Sequence, residues 1–165
     1  VANGKADILQ IFLKILDKTR SGYCVIGGLA VNAYVEPVVS LDLDMVIALT
    51  DLENACGAAA KKGFRIQKHE HSVNLAKAGS DLRIQLQTDV RYQDFISRAK
   101  RKEVLGYRMK VAAIEDVLQG KIWAYCDEQR RRSKRQKDLA DIIRLIEAFP
   151  GLKRRIPGRM KRLVK

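Results

Sequence analysis

Apolar positions recur at i, i+4, i+7 and i+8 along KADILQIFLKILDKTR, residues 5 to 20, where Ile8, Phe12, Ile15 and Leu16 share one face. That spacing predicts an amphipathic helix, which Gly22 breaks. YCVIGG, 23 to 28, is an unbroken apolar run closing in a glycine pair, the pattern of a buried strand that turns directly into a helix. LAVNAYV is that helix, and Pro37 ends it. PVVSLDLDMVIALT, 37 to 50, predicts a strand, and DLENACGAAAKKG a helix with Asp51 as N-cap and Gly63 as C-cap. FRIQKH, SVNLAKA and DLRIQLQT then predict three strands separated by His/Glu and Gly-Ser turns.

From Tyr92 the pattern becomes helical and basic. YQDFISRAK predicts a helix, and YRMKVAA an extended link that returns Val111 to the core. IEDVLQGKIWAYCDE carries an apolar stripe of Val117, Leu118, Ile122 and Trp123 despite Gly120. RRRSKRQKDLADIIRLIEAF starts as an exposed arginine run and becomes a helix through Leu139, Ile142, Ile143 and Ile146, stopped by Pro150-Gly151. The basic tail LKRRIPGRMKRLVK is expected to fray. The element order predicts an α+β fold, a mixed sheet flanked by helices with a C-terminal helical lobe. Residues 1–97 would form the α/β core and 98–165 a basic helical lobe packed on it.

Composition narrows the class. Apolar residues make up 47% of the 165 and charged ones 31%, which suits a folded chain better than a disordered polymer or a membrane protein. No stretch approaches the roughly 18 apolar residues of a spanning helix, and no signal-peptide layout opens the sequence, so a cytoplasmic location is expected. Cys24, Cys56 and Cys126 lack metal-ligand spacing and look like small apolar fillers. His69 and His71 would share one face of a strand, a solvated one. Net charge is +13, and it is unevenly placed: residues 1–97 hold 11 Lys and Arg against 11 Asp and Glu, residues 98–165 hold 21 against 8. A basic half of that strength attracts polyanions, nucleic acid above all; an ordinary solvated helical surface is the alternative.

Asp42 and Asp44 interrupt the strand 37–50. Residues i and i+2 of a strand point to one face about 6.6 Å apart, so both carboxylates can converge on one point. Two unpaired like charges there are costly, and the strand itself offers no arginine to neutralise them. A divalent cation relieves both problems, since Mg²⁺ takes one or two carboxylates together with waters and phosphate oxygens. Gly27-Gly28, between a strand and a helix N-terminus, lets backbone N–H groups approach an anion with no side chain in the way. A solvent-facing acidic pair and a tight turn are the plainer readings of the two motifs taken singly.

VIGGLAVNAY followed by SLDLDMVIAL resembles the signature of the nucleotidyltransferase superfamily, the polymerase β-like fold. GKIWAYCDEQRRRSKRQKDLADIIRLIE resembles the Lys-x-x-Ala and Lys/Arg-Asp-x-x-Asp helices of its AbiEii-type branch, small prokaryotic enzymes that include toxins of toxin–antitoxin pairs. The resemblance implies NTP as substrate with Mg²⁺ or Mn²⁺, Gly27 and Gly28 holding the triphosphate with help from Ser40, and Asp42 and Asp44 as metal ligands. It also implies Lys121 on the phosphates, with Lys137, Asp138 and Asp141 aimed at the cleft and Asp138 in a catalytic role. Surface pairing of those aspartates with Lys134 or Lys137 is the plain alternative. An antitoxin is an implied partner.

The expected activity is transfer of a nucleoside monophosphate from NTP to an acceptor hydroxyl, with tRNA-like RNA favoured by the basic half and a protein hydroxyl second. Arg130, Arg131, Arg132, Lys134 and Arg135 would contact its phosphates. One departure matters. The third carboxylate usual on a later strand is Gln85 in LRIQLQTD, which cannot supply charge or take a proton. Asp81 or Asp138 would have to substitute; otherwise the chain is a catalytically impaired member of the fold that binds nucleic acid or a partner protein.

Overall fold

A computed structural model describes residues 7–40 and 42–165 of the chain. The first helix, α1, runs Ile8–Lys18; the Asp7 side chain caps it by accepting from the Gln10 N–H at 3.0 Å, and Ile8, Phe12, Leu13, Ile15 and Leu16 are buried. Positions 5 and 6 of the predicted helix, and Leu41 ahead of the two aspartates, lie outside the described residues.

Seven strands form one mixed sheet: β1 (Tyr23–Ile26), β2 (Asp42–Ile47), β3 (Arg65–Lys68), β4 (Ser72–Ala76), β5 (Arg83–Gln87), β6 (Lys100–Val104) and β7 (Tyr107–Val111). Their spatial order is β3-β4-β5-β2-β1-β7-β6. β1 is buried at all four positions, as a central strand covered on both faces must be. β2 lies between β1, antiparallel to it, and β5, parallel to it. The helices α2 (Gly27–Val31), α3 (Leu52–Lys61), α4 (Phe95–Arg98), α5 (Ile114–Cys126) and α6 (Arg132–Ala148) complete an α+β fold, with α5 and α6 packed on each other and on α2.

Several local expectations change. α2 stops at Val31, well before Pro37, because the Asn32 side chain folds back on the loop: its Nδ2 donates to Val38 O at 2.7 Å and its Oδ1 accepts from Val38 N at 3.1 Å. Asp51 precedes α3 but does not cap it; its Oδ2 accepts from the Gly22 N–H at 2.8 Å. His69 and His71 lie in the β3–β4 turn, not on a strand. YQDFISRAK gives a 3-10 turn, Val90–Tyr92, and the single helical turn α4.

Residues 100–111 form the hairpin β6–β7 where the pattern read helix then link. β6 hides its strand signal because it is an edge, with Val104 alone buried among four charged positions. The tail does not fray. It forms two 3-10 helices, Pro150–Arg155 and Gly158–Val164, pinned by Leu152, Ile156, Met160 and Val164, all buried. Their regular spacing of four is the signal that the dense charge between them concealed.

Candidate active site

The turn from β1 into α2 fixes the centre of the site. Ile26 is paired with Asp44 across β1 and β2, so the next residue, Gly27, meets the Asp44 side chain. Gly27 has φ +70, and a β-carbon placed on it would come within 2.5 Å of Asp44 Oδ2. Glycine is therefore required there twice over, by backbone hand and by contact. Gly28 differs: its β-carbon would meet nothing nearer than Ser40 Oγ at 3.6 Å, so its bare backbone opens onto the Ser40 hydroxyl. Ser40 Oγ also donates to Asp42 O at 3.1 Å, which ties the loop to the start of β2. With α2 only five residues long, a helix dipole adds little at this turn.

Leu43, Met45, Val46 and Ile47 are buried while Asp42 and Asp44 open onto a cleft. The parallel pairing of β2 with β5 sets Asp42 beside Arg83 and Asp44 beside Gln85. Arg83 Nε donates to Asp42 Oδ1 at 2.8 Å, so Asp42 finds on the neighbouring strand the basic partner that its own strand lacks. Gln85 is thereby the neighbour of Asp44 on β5. Asp81 is exposed in the loop before β5 and is not in the cleft. Burial pushes the Asp44 carboxyl up to about 6 from 3.8; Lys121 opposes the rise and Asp42 adds to it.

Lys121 on α5 and Asp138 on α6 face each other in the helical wall. Asp138 heads the same buried stripe of α6 as Ile142, Leu145 and Ile146, and only 1% of it is exposed. Lys121 Nζ donates to Asp138 Oδ1 at 3.1 Å and reaches Asp141 Oδ2 at 2.8 Å. Arg130 Nε donates to Asp138 Oδ2 at 2.7 Å, and Arg144 Nη1 to Asp141 Oδ1 at 2.8 Å. Burial alone would lower the Lys121 ammonium, but Asp141 and Asp138 outweigh it and hold the pKa above the usual lysine value. Neither aspartate pairs with Lys134 or Lys137, so the surface-pairing alternative is set aside. Asp138 is thus engaged by two cations, Lys121 and Arg130.

These parts surround a cleft of about 550 Å³ lined by Gly28, Ser40, Asp42, Asp44, Lys121 and Asp138, with Lys134, Lys137, Asp141 and Arg144 on the helical wall. That size is in the range of nucleotide-scale pockets. A smaller cavity of about 90 Å³ continues past Asp44 to Gly27, Gln87, Tyr92 and Gly120. Six cationic and four acidic side chains line the main cleft, so it favours an anion before any ligand arrives. Lys134 and Lys137 are in no ion pair among the described residues.

Among the described residues no group of three or more His, Cys, Asp or Glu could hold a metal ion. The donor set fits a cation that takes two protein carboxylates and draws its remaining ligands from water and phosphate, as Mg²⁺ does. Asp44, held under raised pKa by burial and by Asp42, is the group such a cation would relieve.

No protein-family model matches the sequence, and no curated protein matches it. Solved structures do. The antibiotic-resistance factor ANT(2″)-Ia gives a TM-score of 0.60 at 11% identity over 89% of this chain and 90% of its own. LnuA, a lincosamide antibiotic adenylyltransferase solved with lincomycin bound, gives 0.57 at 10% identity over 81% and 93%. This is a nucleotidyltransferase fold. A nucleotidyltransferase-like antigenic protein of Paracoccidioides brasiliensis agrees, at 0.56 and 18% identity over 95% and 90%.

Within this nucleotidyltransferase fold Gly27, Gly28, Ser40, Asp42, Asp44, Lys121, Lys137, Asp138 and Asp141 each border one of the two cavities, and Asp81 borders neither. The arginine run is divided: Arg130 turns in to Asp138, Arg135 Nε donates to Tyr125 O at 2.7 Å, Lys134 lines the cleft, and Arg131 and Arg132 are exposed. Sequence reasoning missed Arg83, Arg144 and Asn32. The polar alternation of Arg83, Gln85 and Gln87 matches that of Asp42 and Asp44, and pairing the two runs in parallel would have found Arg83. Arg144 and Asn32 act through backbone carbonyls of the loop after α2, at Glu36 and Val38, which no residue pattern announces.

Proposed function

We propose that this protein is a Mg²⁺-dependent nucleotidyltransferase that moves a nucleoside monophosphate from NTP to an acceptor hydroxyl, with RNA as the acceptor. The observation that carries the reading is the convergence of Asp42 and Asp44 on one cleft, against the Gly27-Gly28 backbone and opposite a buried, doubly anchored Lys121. The acceptor hydroxyl gives its proton to solvent water as its oxygen bonds to the α-phosphorus, the bond from that phosphorus to the α,β-bridging oxygen breaks, and pyrophosphate leaves. Bound to Asp42 and Asp44, the metal would supply Lewis-acid polarisation of phosphate oxygens. The Gly28 backbone and Ser40 orient the triphosphate. Lys121 offers a fixed point charge, and Asp138 and Asp141 keep it in place. Lys134 and Lys137 neutralise phosphate at the mouth. Most of the acceleration is positioning and charge compensation. The RNA preference is supported by the basic C-terminal half, and the AbiEii-type assignment by the two sequence motifs.

Incubation with Mg²⁺, each labelled NTP and bulk RNA tests the reading: label should transfer with at least one NTP and be lost in Asp42→Asn. No transfer with any NTP refutes it.

Gln85 beside Asp44 favours a second reading, a member of the fold that binds nucleotide but transfers it poorly, since among the described residues no further carboxylate stands free in the cleft. Gln85→Asp separates the two. A large gain in label transfer supports impairment of the natural chain, and no gain over an already active protein supports the enzyme.

A further inference from the structure

The tail that folds onto the helical wall carries charge of one sign only. Residues 148–165 hold seven Lys and Arg and no Asp or Glu. Leu152, Ile156, Met160 and Val164 point into the core, and the intervening Lys153, Arg154, Arg155, Arg159, Lys161, Arg162 and Lys165 are all exposed. None of the seven side chains is in an ion pair or a side-chain hydrogen bond among the described residues, whereas Arg83, Arg98, Arg130 and Arg144 each hold a carboxylate. Seven cations together without a neighbouring acid keep their charge uncompensated and raise the local potential. The tail is also placed. Cys126 Sγ lies 3.8 Å from Met160 Sδ, which sets the second 3-10 helix beside the link from α5 to α6. There Arg131 and Arg132 are exposed, and from there Lys134 reaches the cleft.

We propose that the outer face of the folded tail, continued by Arg131 and Arg132, is an RNA-binding surface that grips the phosphate backbone and leads it toward the cleft. The apolar underside gives the face its fixed shape, so the cations are presented on a scaffold and not on a loose end. Phosphate contacts of this kind position a strand without reading bases. No aromatic side chain lies in residues 150–165, so stacking on bases is not part of the grip. Use of the bound strand as acceptor rests on the transfer reading; the binding itself does not.

The test is fluorescence anisotropy with a labelled single-stranded RNA of mixed sequence, titrated with the full chain over a range of salt. The natural chain should bind with a steep salt dependence. Joint replacement Lys153→Gln, Arg154→Gln, Arg155→Gln, Arg159→Gln, Lys161→Gln and Arg162→Gln should weaken binding at least tenfold and lower the slope of log K against log salt by about 2 or more, three phosphate contacts at roughly 0.7 each. The companion variant Arg154→Lys, Arg155→Lys, Arg159→Lys and Arg162→Lys should keep most of both, since a point charge suffices. Far-UV circular dichroism and the urea unfolding midpoint should be equal in all three, which shows intact folding. An unchanged affinity and slope in the glutamine variant overturns the proposal. So does tighter binding to phosphatidylserine vesicles than to RNA at matched salt, lost in the same variant. Absence of label transfer by the natural chain, with its RNA binding intact, would instead count against the transfer reading and leave this surface standing.

Discussion

Gly27 and Gly28 are equivalent in the sequence and different in the fold, and Gly27→Ala and Gly28→Ala separate them. At Gly27 the backbone has φ +70, a conformation that costs a β-carbon roughly 1–2 kcal/mol. The new carbon would lie 2.5 Å from Asp44 Oδ2 and 3.0 Å from Asp44 Cβ, so Asp44 must move within a packed strand, an overpacking cost of about 1–3 kcal/mol. The sum, roughly 2–5 kcal/mol, lowers the melting temperature by about 5–15 °C for a chain of this length. At Gly28 the nearest atom is Ser40 Oγ at 3.6 Å, an ordinary contact, and the stability change should stay within about 0.5 kcal/mol. On the proposed function both substitutions should abolish tight NTP binding, the first by displacing a carboxylate and the second by placing a methyl group where a triphosphate would approach. Urea unfolding followed by circular dichroism, with nucleotide titration of each folded variant, measures both quantities. Equal stability of Gly27→Ala and the natural chain, or Gly28→Ala as the more damaged of the two, would refute the reasoning.

Three further outcomes follow from the same geometry. Metal-free Asp44 keeps its proton when folded up to about pH 6 and gives it up near 3.8 when unfolded; the folded state binds more protons in that window, so stability falls as pH rises through it. Asp44→Asn should remove that fall, leave the protein more stable above pH 6 by at most about 3 kcal/mol, and eliminate transfer, as pH-dependent unfolding and label transfer will show. Lys121→Met leaves the nearly buried Asp138 and Asp141 without their shared cation and should cost about 3 kcal/mol or more in urea unfolding. Arg83→Gln frees Asp42 at an exposed pair, so unfolding should change by less than about 1 kcal/mol while Mn²⁺ alone binds several-fold more tightly by calorimetry; unaltered metal affinity would show that Arg83 does not compete for Asp42.

The central half of the fold was legible because its signals are local. β1 is a plain apolar run, β2 alternates cleanly at its start, and α1 and α6 carry regular apolar stripes. β6 was not legible, since an edge strand with one buried position offers too little apolar pattern to compete with its charge. The 3-10 tail was hidden for a related reason: its four buried residues are fewer than the cations between them. At the site, the glycine turn and acidic pair could be read because one strand supplies each. Arg83, Arg144 and the loop staple Asn32 could not, because their partners are chosen by sheet register and by loop closure across 41, 108 and 6 residues of sequence respectively.

The sheet ends on β3 at one margin and β6 at the other, and both margins are cationic: Arg65 and Lys68 on one side, Lys100 and Arg101 on the other, all exposed. Unpaired backbone along such margins invites a second molecule to add its own strand, and like charge on both discourages any approach, whichever margins meet. Self-association by edge pairing is thus resisted by the same surplus that draws polyanions, and it should emerge first where multivalent anions neutralise the margins.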